Sequence, residues 1–434
     1  MTVLAFVVGV LLLVVGLAVS IALHEVGHLV PAKVFGVRVG RYMIGLGPTL
    51  WSRRFGETEY GVKALPLGGY ISMSGMYPPS PDEPDAAARR SGRFFGAMVQ
   101  DARLANAETL VENDTRPAFY QLAVWKRVII MVGGPFMNLV LAMVLFGIAL
   151  SAIGLPSVST TIAGVNECVV PAGVERTTCE PGDPVSPAAA GGIRPGDVIV
   201  AVDGTEVEGY VEATSIVQAS PGRTIPIVVE RAGQRVTLSV TPIAAERPVA
   251  TADGGTEVKE VGFVGMTGTR INVPQPIWTG PQAAVERLGA VASVIWQLPV
   301  KVYETGVALV TGGERDPNGP LSVVGAGRIA GEVAATEAPV QDRVVDLLSL
   351  LGSLNIALFV FNLLPLLPLD GGHVVVALWD GLKRVWAKIA GRPKPRPVDA
   401  TKLVPVTFVV VIGLIVMGGT LILADVFNPI SILG

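Results

Sequence analysis

Residues 2–22 read TVLAFVVGVLLLVVGLAVSIA, a stretch without one ionisable side chain. A hydrocarbon layer of roughly 30 Å needs about 20 apolar residues in a helix. The first run supplies them over about 3–24, and three others do so near 128–153, 344–367 and 403–425. In lipid every backbone N–H and C=O must be satisfied inside its own segment or in a closed barrel, so these four runs are expected to be helices. Composition agrees. Of the 434 residues 50% are hydrophobic and only 16% charged, which excludes an ordinary soluble globule.

The first run lacks a basic n-region and exceeds the roughly 7–15 apolar residues of a secretory signal, so it is expected to stay attached. A fifth stretch, 284–311, contains Arg287, Pro299, Lys301 and Glu304 and reads as an amphipathic or surface helix. A net charge of −3 lacks the basic field of a nucleic-acid binder. The two cysteines, Cys168 and Cys179, are too few for a disulfide scaffold and wrongly patterned for a Cys-based zinc site. They can pair with each other in an oxidising compartment.

Lysine and arginine set the orientation. Segment 33–127 holds 13 of them and the short 383–402 holds 7, whereas the much longer 154–343 also holds only 13. By the positive-inside rule the first two face the cytoplasm, and the N-terminus, 155–340 and the C-terminus lie outside. Spans 1 and 3 then run in the same direction.

Directly after the first run comes LHEVGHLVPAKVF, residues 23–35. On a helix His24 and His28 share one face a turn apart, as two ligands of a tetrahedral zinc must. Glu25 sits one position round, within reach of a metal-bound water, which makes the HExxH arrangement of a metalloprotease with Glu as general base. The chain has three histidines, and two of them are here. Ionisable groups at membrane depth are functional candidates by default.

A catalytic zinc needs a third protein ligand and keeps the fourth position for water. The source is NLLPLLPLDGGH, residues 362–373, where Asp370 closes an apolar run and Gly371 and Gly372 permit tight turns. His373 is a rival ligand. At about 1.5 Å per residue His24 and Asp370 each lie about one bilayer thickness from the outer ends of their spans. Pro365 and Pro368 remove donors and break the helix, so this backbone is irregular and must be buried or wet. Asn362 offers both a donor and an acceptor there, for a substrate or for a helix–helix hydrogen bond. Gly133 and Gly134 are read as close-packing positions, and Asn138 as an interhelical hydrogen bond.

HEVGH at 24–28, GGPFMN at 133–138 and the N-x-x-P-x-x-P-x-D-G run from Asn362 to Gly371 resemble the site-2 protease family of intramembrane zinc metalloproteases, in its RseP-like, PDZ-containing bacterial branch. The resemblance implies one zinc per chain on His24, His28 and Asp370, water activation by Glu25, and contact of Asn362 with the substrate backbone or developing oxyanion. It also implies single-span substrates, of the anti-sigma factor or remnant signal peptide type, in a bacterial inner membrane. Residues 57–76, ETEYGVKALPLGGYISMSGM, alternate like a strand. In the family this position is a re-entrant β-hairpin, which puts Gly68, Gly69 and Tyr70, with Pro365 and Pro368, among the substrate-binding residues. Between the halves of the site, PAAAGGIRPGDVIVAVDGTEV (187–207), a helix-like 210–218 and the strands TIPIVVERAGQRVTLSVTPI resemble a PDZ domain. Its groove would take a peptide by strand addition or serve as a size filter.

The expected fold is a polytopic α-helical membrane protein with four transmembrane helices, an inserted extracytoplasmic PDZ-like α+β domain and a membrane-associated β-hairpin. The expected boundaries are span 1 with HExxH at 1–35, the hairpin region at 36–77, a cytoplasmic linker with some helix at 78–123 and span 2 at 124–154. The PDZ-like domain follows at 155–272, an amphipathic region at 273–343, span 3 with the Asp motif at 344–373, a cytoplasmic loop at 374–402 and span 4 at 403–428. Two other classes compete: a membrane-tethered PDZ scaffold with a non-catalytic metal site, and a metal transporter. A structural site needs no base and closes all four positions, which Glu25 argues against. A transporter would spread polar residues along several spans, and here they gather at one depth.

Overall fold

A computed structural model describes residues 2–78, 93–110, 115–170, 178–250, 256–317 and 319–430. Parts of the 78–123 linker, at 79–92 and 111–114, lie outside the described residues. The chain divides into two compact units, Met1–Ile153 together with Gln275–Gly434, and Gly154–Pro274.

In the first unit helix α1 (Thr2–Val34) leads into strands β1 (Val39–Phe55) and β2 (Thr58–Met73), an antiparallel pair turning at Gly56 and Glu57. The hairpin is therefore longer than the strand pattern at 57–76 alone. Helix α2 (Arg93–Glu108) and helix α3 (Val124–Gly147), which continues as a π-helical turn Ile148–Ile153, complete the first part.

The second unit is built on antiparallel strands β3 (Leu155–Val165), β4 (Val198–Val202), β5 (Thr205–Glu206), β6 (Ile225–Arg231), β7 (Gln234–Val240) and β10 (Met266–Val273). Their order is β10-β3-β4-β6-β7, with β5 on β4, and β8 (Ile243–Ala250) and β9 (Thr256–Phe263) pair separately. Short α4 (Pro187–Ala190) and α5 (Tyr210–Gln218) accompany the sheet. Ile162, Ile199, Val202, Ile225, Ile227 and Val229 form its core, each contributing about 1.5–3 kcal/mol by burial. Cys168 and Cys179 are disulfide-bonded, with Cα atoms 5.9 Å apart.

The chain then returns to the first unit through α6 (Thr279–Thr311), α7 (Val323–Ala335), α8 (Val340–Asn362), α9 (Asp370–Ile389) and α10 (Val404–Phe427). Among the described residues four helices are long and apolar enough to cross a membrane: Val3–Val34, Val124–Ile153, Val340–Asn362 and Ala400–Phe427. The long helix α6 is not one of them. Two expectations are corrected. The third span does not run to Asp370 but stops at Asn362, ahead of Pro365 and Pro368, and Asp370 opens a separate helix. The expected loop 374–402 is mostly that helix, because Val375, Leu378, Trp379, Leu382, Trp386 and Ile389 recur at helical spacing.

Spans α1 and α8 lie side by side and parallel. A side chain at Gly16 would meet Leu351, and one turn on Asn355 Nδ2 donates to Ser20 Oγ at 2.9 Å. Beneath the motif, Leu29, Ala32, Val39, Tyr42, Met73, Phe119, Ile130 and Met131 form one core that joins α1, the hairpin and α3. Tyr42 Oη also donates to the Ala22 carbonyl at 2.8 Å, tying the hairpin to α1.

In the second unit the Arg231 guanidinium donates to both oxygens of buried Asp197, at 2.7 and 2.8 Å, and the Arg194 N–H adds a bond of 2.8 Å. The Arg231 bonds chiefly hold the Asp197 carboxyl below its ordinary range. A depressed folded-state pKa contributes stability above the unfolded value of about 4, lost as pH falls through the folded value. Hydrogen exchange of β6 amides in the full chain, corrected for intrinsic rates, should therefore accelerate below about pH 4. Asp197→Asn should be accelerated already at neutral pH and show a weaker pH dependence.

Candidate metal centre

Helix α1 carries His24 and His28 with their Nε2 atoms turned toward each other, 3.2 Å apart. Asp370, in the first turn of α9, brings Oδ2 to 3.3 Å from His24 Nε2 and 3.4 Å from His28 Nε2. These three atoms could hold a metal ion. Tetrahedral ligands with bonds of about 2.0–2.1 Å stand roughly 3.3–3.4 Å from one another, so the triangle has the edges that zinc requires. Asp370 Oδ2 is buried and has no hydrogen-bond donor among the described residues, an arrangement that costs free energy unless a cation faces it.

The outer sides of both rings are also fixed. His28 Nδ1 lies 2.7 Å from the carbonyl of Ile130. A carbonyl only accepts, so Nδ1 carries the proton and Nε2 turns its lone pair to the centre. His24 Nδ1 lies 3.2 Å from the Asn138 amide. The atom nearest the ring is Nδ2, while Oδ1 is buried without a partner among the described residues; rotating the amide end for end gives Oδ1 the Nδ1–H as donor and His24 the same tautomer as His28. Glu25, beside them on α1, is 7% exposed.

A cavity of about 350 Å³ opens on the triangle, lined by His24, Glu25, His28, Gly68, Gly69, Tyr70, Asn138, Asn362, Pro368, Asp370 and His373 among others. Gly69 passes so close that a side chain there would stand 3.0 Å from Glu25 Cγ. Asn362 Nδ2 donates to the Leu358 carbonyl at 3.0 Å, within its own helix. Pro365 does not line the cavity; it lies in the irregular 363–369 and is exposed. His373 lines the cavity and stacks on Tyr77 at 6.2 Å between centroids, away from the three-atom cluster. Gly371 and Gly372 do not turn the chain. They lie in the first turn of α9 packed beneath the preceding segment, where a Cβ at Gly371 would come 2.3 Å from the Leu363 and Leu364 carbonyls.

Two roles were not visible in the sequence. Asn138 makes the interhelical hydrogen bond expected of it, but the sequence does not show that its partner is the His24 ring. Gly134 does more than let helices approach: the His28 ring fills its notch, and a Cβ there would be 2.2 Å from Nε2. Gly134→Ala should therefore push His28 out of the triangle and lower the metal bound per chain several-fold, measured by elemental mass spectrometry. Gly147→Ala, on the same helix with nothing within 4 Å of its Cβ, should leave metal content unchanged. Alanine favours helix over glycine, so lost helicity would not account for the difference.

Comparison with known proteins fits this geometry. The model of peptidase family M50 matches residues 12–398. The zinc metalloprotease Rip1 of Mycobacterium tuberculosis is 35% identical over 98% of this chain and 99% of that protein. Rip1 of Mycolicibacterium smegmatis is 35% identical with the same coverage. Metalloprotease MmpA of Caulobacter vibrioides is 29% identical over 85% of each chain. With one family model covering most of its length and full-length relatives at this identity, the chain belongs to peptidase family M50.

Proposed function

We propose that the chain is an intramembrane zinc metalloendopeptidase that cuts the membrane segment of single-span proteins, with His24, His28 and Asp370 as metal ligands and Glu25 as general base. The observation that carries the reading is the triangle of two Nε2 atoms and one unpaired carboxylate oxygen with edges of 3.2, 3.3 and 3.4 Å. Zinc, when bound, supplies a Lewis acid that polarises the scissile carbonyl and makes water more acidic. The base must lie outside the ligand set yet beside it, which Glu25 does.

In this reading the Glu25 carboxylate accepts a proton from the attacking water and returns it to the leaving amine. Asn362 offers its amide to the substrate backbone from the end of α8. A helical peptide bond is shielded by its own hydrogen bonds, so the substrate must be extended before it is cut. Strand β2 at Gly68, Gly69 and Tyr70 passes the site and offers an extended partner that can replace those bonds. Pro368 also lines the cavity.

By the family resemblance the substrates are membrane-bound anti-sigma factors or remnant signal peptides, in a bacterial inner membrane. The basic segments 33–127 and 383–402 support a cytoplasmic location for the end of α1 and for α9. The unit Gly154–Pro274 is then an extracytoplasmic PDZ-like domain, supported by its antiparallel sheet and by α5, and the disulfide suits an oxidising compartment. A non-catalytic scaffold is disfavoured by a buried carboxylate that ligates nothing yet adjoins the ligands.

The decisive measurement is cleavage of a candidate single-span substrate in membranes. Glu25→Gln should retain bound zinc and lose cleavage by at least about a hundredfold; equal cleavage by both proteins would end the assignment. Separately, Asp370→Asn should deplete zinc while His373→Ala keeps it. The opposite pattern would move the third ligand to His373.

A further inference from the structure

Helix α9 turns one face into the protein and leaves the other uncovered. Gly371, Gly372, Ala377 and Asp380 are buried, and Asp380 is pinned by Arg127 of α3 at 3.0 Å. On the other face Val375, Leu378, Trp379, Leu382, Trp386 and Ile389 are 47 to 77% exposed. The helix starts beside His28 and Gly134, well inside the span α3. About three turns later Gly381 lies against the side chain of Val124, the first residue of that span. The remainder of α9 therefore passes the end of the span and enters the lipid–water boundary. Exposed Trp125, Trp379 and Trp386 mark that level, where the indole ring is at home.

Charge changes at the same place. Residues 381–398, GLKRVWAKIAGRPKPRPV, contain six lysines and arginines and no acid, in a chain of net charge −3. Lys383 is engaged by Asp380 and the Arg396 carbonyl. Lys388, Arg392, Lys394 and Arg396 are exposed, and among the described residues no carboxylate pairs with them. Pro393, Pro395 and Pro397 keep this backbone out of the helix, and it returns along α9, where Lys383 binds the Arg396 carbonyl and the Val398 N–H donates to Asp380.

We propose that the end of α9 and residues 388–396 form a seat for anionic lipid headgroups in the leaflet where α1 ends. The apolar stripe lies among the acyl chains, and the four cations gather negatively charged phosphate headgroups above it. An acidic protein or a nucleic acid would match the charge and leave the stripe bare. A lipid surface satisfies both, and α9 packs against α3, a helix long and apolar enough to cross the membrane. The seat holds one end of the helix whose other end carries Asp370; its existence does not depend on the peptidase reading.

The test uses the full chain in nanodiscs of mixed phosphatidylcholine and phosphatidylglycerol, released into mild detergent, with retained lipids counted by native mass spectrometry. The native chain should retain phosphatidylglycerol preferentially. The preference should drop roughly fivefold for each cation removed at low salt, and vanish in Lys388→Gln/Arg392→Gln/Lys394→Gln/Arg396→Gln. Arg392→Lys/Arg396→Lys should keep it, which separates lost charge from a damaged fold. An unchanged preference in the quadruple variant would overturn the proposal. So would a native chain without preference, or one whose cations bind polyglutamate or an oligonucleotide instead.

Discussion

The site depends on a contact that contains no side chain. Where α1 crosses α3, a Cβ on Gly27 would stand 2.2 Å from the Gly133 carbonyl, and one on Gly133 would stand 2.1 Å from the Gly27 carbonyl. The two backbones touch. In lipid there is little hydrophobic drive between helices, and small residues at a crossing let packing and polar contacts hold them instead. Only at this separation can the His28 ring occupy the notch at Gly134 and reach the Ile130 carbonyl, while Asn138 one turn further reaches His24. Pro135, in the same turn, has no N–H and leaves the α3 ladder one bond short beside the ring.

The third member comes from a different kind of constraint. Asp370 opens α9, where the helix dipole favours a carboxylate, and α9 is held against α3 by a buried ion pair. Arg127 and Asp380 are 4% and 1% exposed, and Asp380 also accepts from the Val398 N–H at 2.8 Å. Removing one partner of such a pair costs about 3–5 kcal/mol by stranding the other. One helix is thus anchored at Asp380 by charge and at Gly371 by close packing, and its first carboxylate points at two imidazoles without a donor of its own.

How much of this the sequence discloses follows from the range of each signal. The 24–28 spacing is local, so the pairing of His24 with His28 is legible from periodicity alone. The helix break is also local, since two prolines announce it. Its consequence is less so: a run of leucines between the prolines resembles a continuing span, and α9 was hidden because its amphipathic period sits beside a basic, proline-rich tail that reads as loop. Asn138 and His24 are 114 residues apart. Their contact depends on which turn of α3 faces α1, and no local pattern states that.

The break in α8 and the cavity are one feature. Asn355 of α8 bonds Ser20 of α1, and from that level α8 continues for only about two more turns, roughly 10 Å, before stopping at Asn362. The same distance along α1 reaches Gly27, inside the HExxH motif. An unbroken α8 would fill the space beside that motif with helical backbone that offers no free hydrogen-bonding groups. Instead residues 363–369 fold into short turns, with Leu366 N–H bonding the Leu364 carbonyl and Leu369 N–H the Leu366 carbonyl. Such backbone is tolerable at membrane depth only if protein or water covers it, and the 350 Å³ cavity at Glu25 is the space it leaves. Parallel spans, an early helix end and an open hollow beside the buried carboxylate therefore belong together.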